Sequence, residues 1–416
     1  MGALHIAWLD LSPAQMATAR AHLRDAKDEG VVDELGFGVL QGAIADVLYP
    51  GVNTIMTRAR YFYFLPALLE HLEREGTRAG DFARKARERQ VTLSQVLKVT
   101  EPQLGSGVIG RDAGMALQRM PSNIYWNGLR KLGLFLQPLS ESGYHQQVDG
   151  GRAARKAVKD DDATRHPGGD VEPFWDSKRP PPAFLDAKGE VLSTTTFRLT
   201  RREAADLAQR FAKQREDSLG HGALLPVLVD EPSGADFAWP WDVPGAEPGL
   251  SRLLEEAQRL SALARGMGLV YMALVLQLRQ RHGLALPELD VREACDNWLA
   301  AVRPLFAEWD IGATLAHPVV SRGLRPGDVR ELGEFLTRCR ASADGAGLLR
   351  DRDAQDVVSR RERRLKRYKT RLRAGRYLQE WSPPSSAALA APYELGYRHR
   401  TGVRMARDIR AGLGRP

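Results

Sequence analysis

One apolar run restricts the fold of this 416-residue chain more than any other feature. Residues 266–278 are apolar except for Gln277, and Arg265 and Arg279 close the run on either side. A bilayer span needs about 20 such residues. The run falls short, which makes it the centre of a core helix, within the longest helical pattern of the chain, 251–281. A helix apolar all round must be wrapped by other elements, and helical periodicity recurs on both sides of it. Ser12-Pro13 is an N-cap followed by proline at the first helical position, opening a helix to about Lys27. Val39, Leu40, Ala43, Ile44, Val47 and Leu48 form one arc of a second helix. Thr54 opens a third, to about Glu75, with a kink expected at Pro66. Thr200-Arg201-Arg202-Glu203 is a capping box for a helix to Gln214, and 290–308 and 326–341 are amphipathic. Strand-like alternation is scarce, with 191–199 the one candidate.

These patterns predict a mainly α chain of two helical domains with few short strands. The expected division is 1–141, a linker or surface excursion at 142–198, a second domain at 199–350, and basic C-terminal helices at 351–416. The excursion is suggested by Asp149-Gly150-Gly151, the run Lys159-Asp160-Asp161-Asp162 and Pro180-Pro181-Pro182. Trp239 and Trp241, in a loop rich in proline and glycine, are expected to pack as apolar anchors.

Much chemistry is excluded. There is no GxxxxGK[ST] phosphate loop, no GxGxxG after a strand, no GxSxG elbow and no HExxH. The nine histidines are scattered. Two cysteines, Cys295 and Cys339, have no CxxC partner, which argues against a disulfide scaffold or zinc ribbon and fits a reducing cytosol. The first residues lack a basic stretch followed by an apolar one, so no signal peptide is expected. No cofactor or metal is implied. Asp10, Asp25 and Lys27 can be forced into a nuclease-like set, but two-metal chemistry needs convergence that a helix does not supply.

Charge placement is the main functional signal. Net charge is +8. Residues 357–416 carry 16 Arg and Lys against four Asp and Glu, so the rest of the chain is slightly acidic. Residues 357–377 read VVSRRERRLKRYKTRLRAGRY, with only Glu362 opposing ten basic side chains. Val358, Leu365, Tyr368 and Leu372 recur at about heptad spacing, which predicts a helix with a narrow apolar seam and a wide basic face. Arg360, Arg361, Arg363, Arg364, Lys366, Arg367, Lys369, Arg371 and Arg373 would then meet phosphates, of DNA rather than RNA. The same face fits an acidic surface of a helicase or nuclease, or is simply a solvated helix. The seam is too thin for a membrane surface. In the tail, Val403, Ala406, Ile409 and Leu413 form a packing stripe, with Arg400, Arg404 and Arg407 on another face.

Two further groups are candidates. In 108–136, a helix over 111–119, a turn at Met120-Pro121-Ser122 and a helix over 123–132 with a glycine exit resemble a helix-turn-helix. Ile124, Tyr125, Leu129 and Leu132 would face the core, and Asn127, Arg130 and Lys131 a groove or solvent. A packed hairpin looks the same. In the third helix Arg58 falls among core positions, which requires a partner. Asp33, Glu34 and Asp46 are the nearest acids upstream, as structural ion pairs or, together with Arg60, as a carboxylate–arginine site of an enzyme.

Several blocks resemble an uncharacterised bacterial family, domain-of-unknown-function family 6361. They are Trp8-Leu9-Asp10-Leu11-Ser12, VDELGFGVLQGAIADVLYPG at 32–51, TRARYFYFLP at 57–66, PSNIYWNGLRKLGLF at 121–135, Leu199-Thr200-Arg201-Arg202-Glu203-Ala204 and LGYRHRTGVRMARDIRAGL in the tail. The resemblance implies a bacterial, cytosolic protein, an accessory encoded beside helicases and nucleases of phage-defence islands. It implies no catalytic residues.

Overall fold

A computed structural model describes residues 33, 35–161, 173–216, 221–231, 236–287, 289–373, 375–381 and 393–415. The expected helix from Ser12 to Lys27, the Asp10, Asp25 and Lys27 set, Glu34 and Asp162 lie outside the described residues. The chain is mainly α. Its strand content among the described residues is a two-residue antiparallel pair, Arg215–Glu216 with His221–Gly222, and two single bridges, Phe135 with Trp175 and Leu185 with Val191. Of the strand expected at 191–199, only Val191 pairs.

The chain forms two compact units interleaved in sequence. The larger holds Val39–Ser261, Asp310–Arg325 and Leu395–Pro416. The smaller holds Ala262–Trp309 and Pro326–Glu394 with the described residues before Val39. The 34-residue helix Pro248–Arg281 contributes to both, divided after Ser261. It is long and apolar enough to cross a membrane by composition, yet 67% of its most apolar window is buried inside the protein, as a core helix is.

In the larger unit, helix Gly38–Leu48 buries Leu40, Ile44, Ala45, Val47 and Leu48; Val39, placed on the same arc by the sequence, is exposed. Helix Tyr61–Arg74 is continuous through Pro66 and buries Phe62, Leu65, Leu68, Leu69 and Leu72. It starts seven residues later than expected. Asn53 Oδ1 accepts from the Ile55 and Met56 N–H groups, both at 3.0 Å. The Tyr125 hydroxyl accepts from Thr57 and Arg58 N–H and donates to the Arg58 carbonyl. These bonds hold 53–58 in turns, because a side chain that satisfies the backbone locally competes with helix formation.

Residues 142–161, read from the sequence as linker, belong to helix Glu141–Asp161. Its Tyr144 and Val148 are fully buried. Tyr144 enters an aromatic cluster with Phe82, Trp126, Phe135 and Trp175. The cluster surrounds buried Glu73, whose carboxylate accepts from Tyr144 Oη at 2.6 Å and Trp175 Nε1 at 2.8 Å. The segment reads as a linker because this helix's apolar residues are few and interrupted by glycine. The capping box at Thr200 forms as read: Thr200 Oγ1 accepts from Glu203 N and Glu203 Oε2 from Thr200 N. Trp239 and Trp241 stack on each other at 5.2 Å. The tail helix His399–Leu413 buries Met405, Ala406 and Ile409, with Val403 and Leu413 half-buried beside them.

In the smaller unit, helices Val291–Phe306, Asp328–Ala341, Gly345–Arg350 and Arg352–Lys366 pack on one another beside the second half of the long helix. Trp298 Nε1 donates to the Ala262 carbonyl at 3.0 Å, and Gly266 makes room for the Trp298 ring, which a β-carbon there would strike. Cys295 and Cys339 are buried free thiols; burial pushes Cys295 up to about 12.

Candidate nucleic-acid interface

The basic segment begins as a well-capped helix. Asp351 accepts from the Asp353 and Ala354 N–H groups and opens Arg352–Lys366. Its buried face is Ala354, Val357, Val358, Arg361 and Glu362. The wide basic face expected from the sequence is therefore corrected in three places. Arg361 is 1% exposed. Its Nε donates to the Leu35 carbonyl at 2.7 Å, and its Nη1 donates to Asp328 at 2.6 Å and Glu331 at 3.0 Å. Its guanidinium lies over the Phe37 ring. Arg364 meets the same two carboxylates at 2.6 to 3.0 Å. Two cations and two anions close a neutral cluster, as burial requires. Arg360 is half-exposed and pairs with Glu334. These three arginines tie their helix to helix Asp328–Ala341.

The helix stops at Lys366, so the apolar seam does not continue to Tyr368. Arg367 caps it with φ 53 and ψ −115, a region a side chain enters only at a cost. The turn is held from behind by Glu362, which is fully buried. One of its oxygens accepts from Tyr271 Oη at 2.9 Å and from Arg371 N at 2.8 Å, and the other from Leu372 N at 3.2 Å. Thr370 Oγ1 adds a bond to the Arg367 carbonyl at 2.7 Å. The single acid of the segment is thus its internal anchor. What the turn presents is Tyr368, 74% exposed, with Lys369 against its ring; Arg363, Arg367 and Arg373 of the same segment are exposed as well. Lys366 and Arg371 are half-buried.

The other candidates separate. Asn127, Arg130 and Lys131 form the exposed face of helix Pro121–Lys131, opposite buried Ile124, Tyr125 and Leu129. The helix expected before them does not exist: 111–119 contains only the short 3-10 turn Gly114–Ala116. Gly114 holds positive φ within it, and Gly107 and Gly110 do so just before it, which keeps this stretch in turns. A helix-turn-helix is therefore not formed. Asn127 and Lys131 line a cleft of about 580 Å³ together with Asp46 and Arg322.

Arg58 does not bond to Asp33 or Asp46, and Glu34 lies outside the described residues. Its Nε lies 3.0 Å from both oxygens of Asp408, 350 residues away, and Nη2 is 2.9 Å from Oδ1. Asp33 caps the first described helix through Phe37 N and Gly38 N. Asp46 pairs with Arg398. Arg60 lies 3.3 Å from Glu203. The acids and arginines read as one cluster are spent in four separate contacts. Among the described residues no carboxylate–arginine site forms from them. The signal for Asp408 was invisible locally, since nothing in its neighbourhood points to Arg58. Among the described residues no three His, Cys, Asp or Glu converge as a metal site.

The fold and this surface define a helical protein that carries a strained, basic, aromatic-tipped turn. The family model of DUF6361, a family of unknown function, matches residues 3–404. The chain belongs to that family. No curated protein and no solved structure matches it.

Proposed function

We propose that the chain is a non-catalytic, cytosolic nucleic-acid-associated protein that contacts phosphate backbones through the turn 363–373. The observation that carries the reading is the exposed Tyr368, with Lys369 over its ring, in a segment whose Arg363, Arg367 and Arg373 are also exposed; none of these four cations forms an ion pair among the described residues. Cations in one segment with an exposed ring suit a single strand: phosphates meet the guanidinium and ammonium groups while a base stacks on the ring. The proposal leaves out Arg360, Arg361 and Arg364, which are neutralised within the chain, and Asn127, Arg130 and Lys131, which lack a helix-turn-helix partner. The accessory role beside helicases and nucleases of a phage-defence system belongs to the same proposal, since such a protein would share their substrate.

The test is fluorescence anisotropy with a labelled single strand and a duplex over a salt series. Wild-type affinity should fall with salt, with a log–log slope of about −0.7 per phosphate contact on the single strand. Replacing Arg363, Arg367, Lys369 and Arg373 together by Gln should flatten that slope. Tyr368→Ala should cost about 1–3 kcal/mol on the single strand and little on the duplex. Affinity that ignores salt, or a fourfold Gln variant that binds like wild type, would sink the reading.

A further inference from the structure

A cavity of about 350 Å³ in the larger unit has no part in the reading above. Its polar lining is Arg60, Thr194, Thr195, Thr196, Arg198 and Thr200, facing an apolar wall that includes Phe184 and Leu192; the Thr195 hydroxyl is already spent on the Leu192 carbonyl. Arg60 is 6% exposed. Its Nη1 donates to the Thr196 carbonyl at 2.7 Å, but its buried Nε has no hydrogen-bond acceptor. Glu203, 3.3 Å from that nitrogen, is not aligned to take it and does not line the cavity. Glu203 offsets the charge of this arginine, and what is left over is a buried donor without an aligned acceptor, a feature that favours a further oxyanion beside the guanidinium.

The remaining donors converge on the same space. Thr200 Oγ1 accepts from Glu203 N, which leaves its hydroxyl hydrogen to donate. Thr196 Oγ1 accepts from Arg198 N at 3.4 Å and is in the same position. Thr194 and Arg198 are exposed at the rim. Thr200 is also the N-cap of the 12-residue helix Arg201–Ala212, whose first N–H groups and dipole favour negative charge at that end. Two guanidinium groups, three hydroxyls and a helix N-terminus make a donor-rich set with no carboxylate in the lining. That set suits a tetrahedral oxyanion.

We propose that this cavity binds a phosphoryl group, with the apolar wall taking up what the phosphate is attached to. The site stands apart from the basic turn and does not need it. The experiment is thermal denaturation of the full chain titrated with inorganic phosphate, with a nucleoside 5′-monophosphate, and with sodium chloride at matched ionic strength. Phosphate and the monophosphate should raise Tm saturably where chloride does not. Equal midpoints would assign binding to the phosphoryl group alone, and a tighter monophosphate would assign the wall to its nucleoside. Arg198→Gln should weaken both midpoints about tenfold or more, as loss of one charge-assisted hydrogen bond does, and Thr194→Val should weaken them less. Both variants change rim residues and should fold as wild type, so they decide the matter even where Arg60→Lys does not fold. The fourfold Gln variant of the basic turn should keep the phosphate midpoint. The inference is overturned if neither compound gives a saturable shift, or if Arg198→Gln and Thr194→Val leave the midpoints unchanged.

Discussion

Arg367 holds a backbone conformation that glycine would adopt without penalty. Such strain costs about 1–3 kcal/mol. Arg367→Gly should therefore raise stability by about 1 kcal/mol in urea denaturation, after the greater entropy of glycine in the unfolded chain is deducted. The same change should weaken nucleic-acid affinity. An unchanged or lowered stability would show that the turn is not strained. Another residue-level device is His145, whose burial pulls it down to about 4. In the unfolded chain it titrates near 6.5, so between those values only the unfolded state takes up the proton. Stability should fall as pH drops from about 6.5 towards 4. Burial raises its neighbour Glu141, which gives a slope of the opposite sign. The readout is thus the difference between wild type and His145→Gln, which should lose the histidine contribution in pH-dependent urea denaturation.

Among the elements, helix Arg352–Lys366 shows what a sequence can and cannot reveal. Its N-cap, its amphipathic character and the excess of cations were legible because caps and periodicity are local. Which arginines point inward was not, because Asp328 and Glu331 lie some 30 residues upstream and compete with water for the same guanidinium groups. The stop at Lys366 was also hidden, since Arg-Tyr-Lys-Thr holds neither glycine nor proline and the turn depends on a carboxylate beneath it. The helices at 38 and 201 were legible for the opposite reason: each is specified by its own arc or cap. Arg361→Ala should cost about 3–5 kcal/mol, since it leaves two carboxylates buried with half their compensation. Arg363→Ala, on the exposed side of the same helix, should change stability by no more than about 0.5 kcal/mol. Chemical denaturation of the two variants checks the inside–outside assignment. Equal costs would contradict it.

At the scale of the molecule, the expected division into successive segments gives way to two units that share the chain. Residues 395–416 return to the larger unit after the smaller one is complete. Their helix supplies Asp408 to Arg58 and Ala59 N and His399 to Tyr49 and the Phe237 carbonyl. A chain cut after Asp356 loses these partners together with Arg361 and Arg364, and leaves Arg58, Asp328 and Glu331 without them. It should fail to unfold cooperatively in urea and show poor amide dispersion by NMR. A truncated chain that still folds would mean that the tail contacts add little. Cutting off the basic segment is therefore no clean test of binding, and substitution is required.

The bond between Arg58 and Asp408 also sets a timetable. While the chain is being synthesised, Arg58 leaves the ribosome some 350 residues ahead of Asp408. Arg58 must stay hydrated through that interval, until the helix that covers it has emerged. The larger unit thus cannot close around Arg58 before residues 399–413 are free of the exit tunnel.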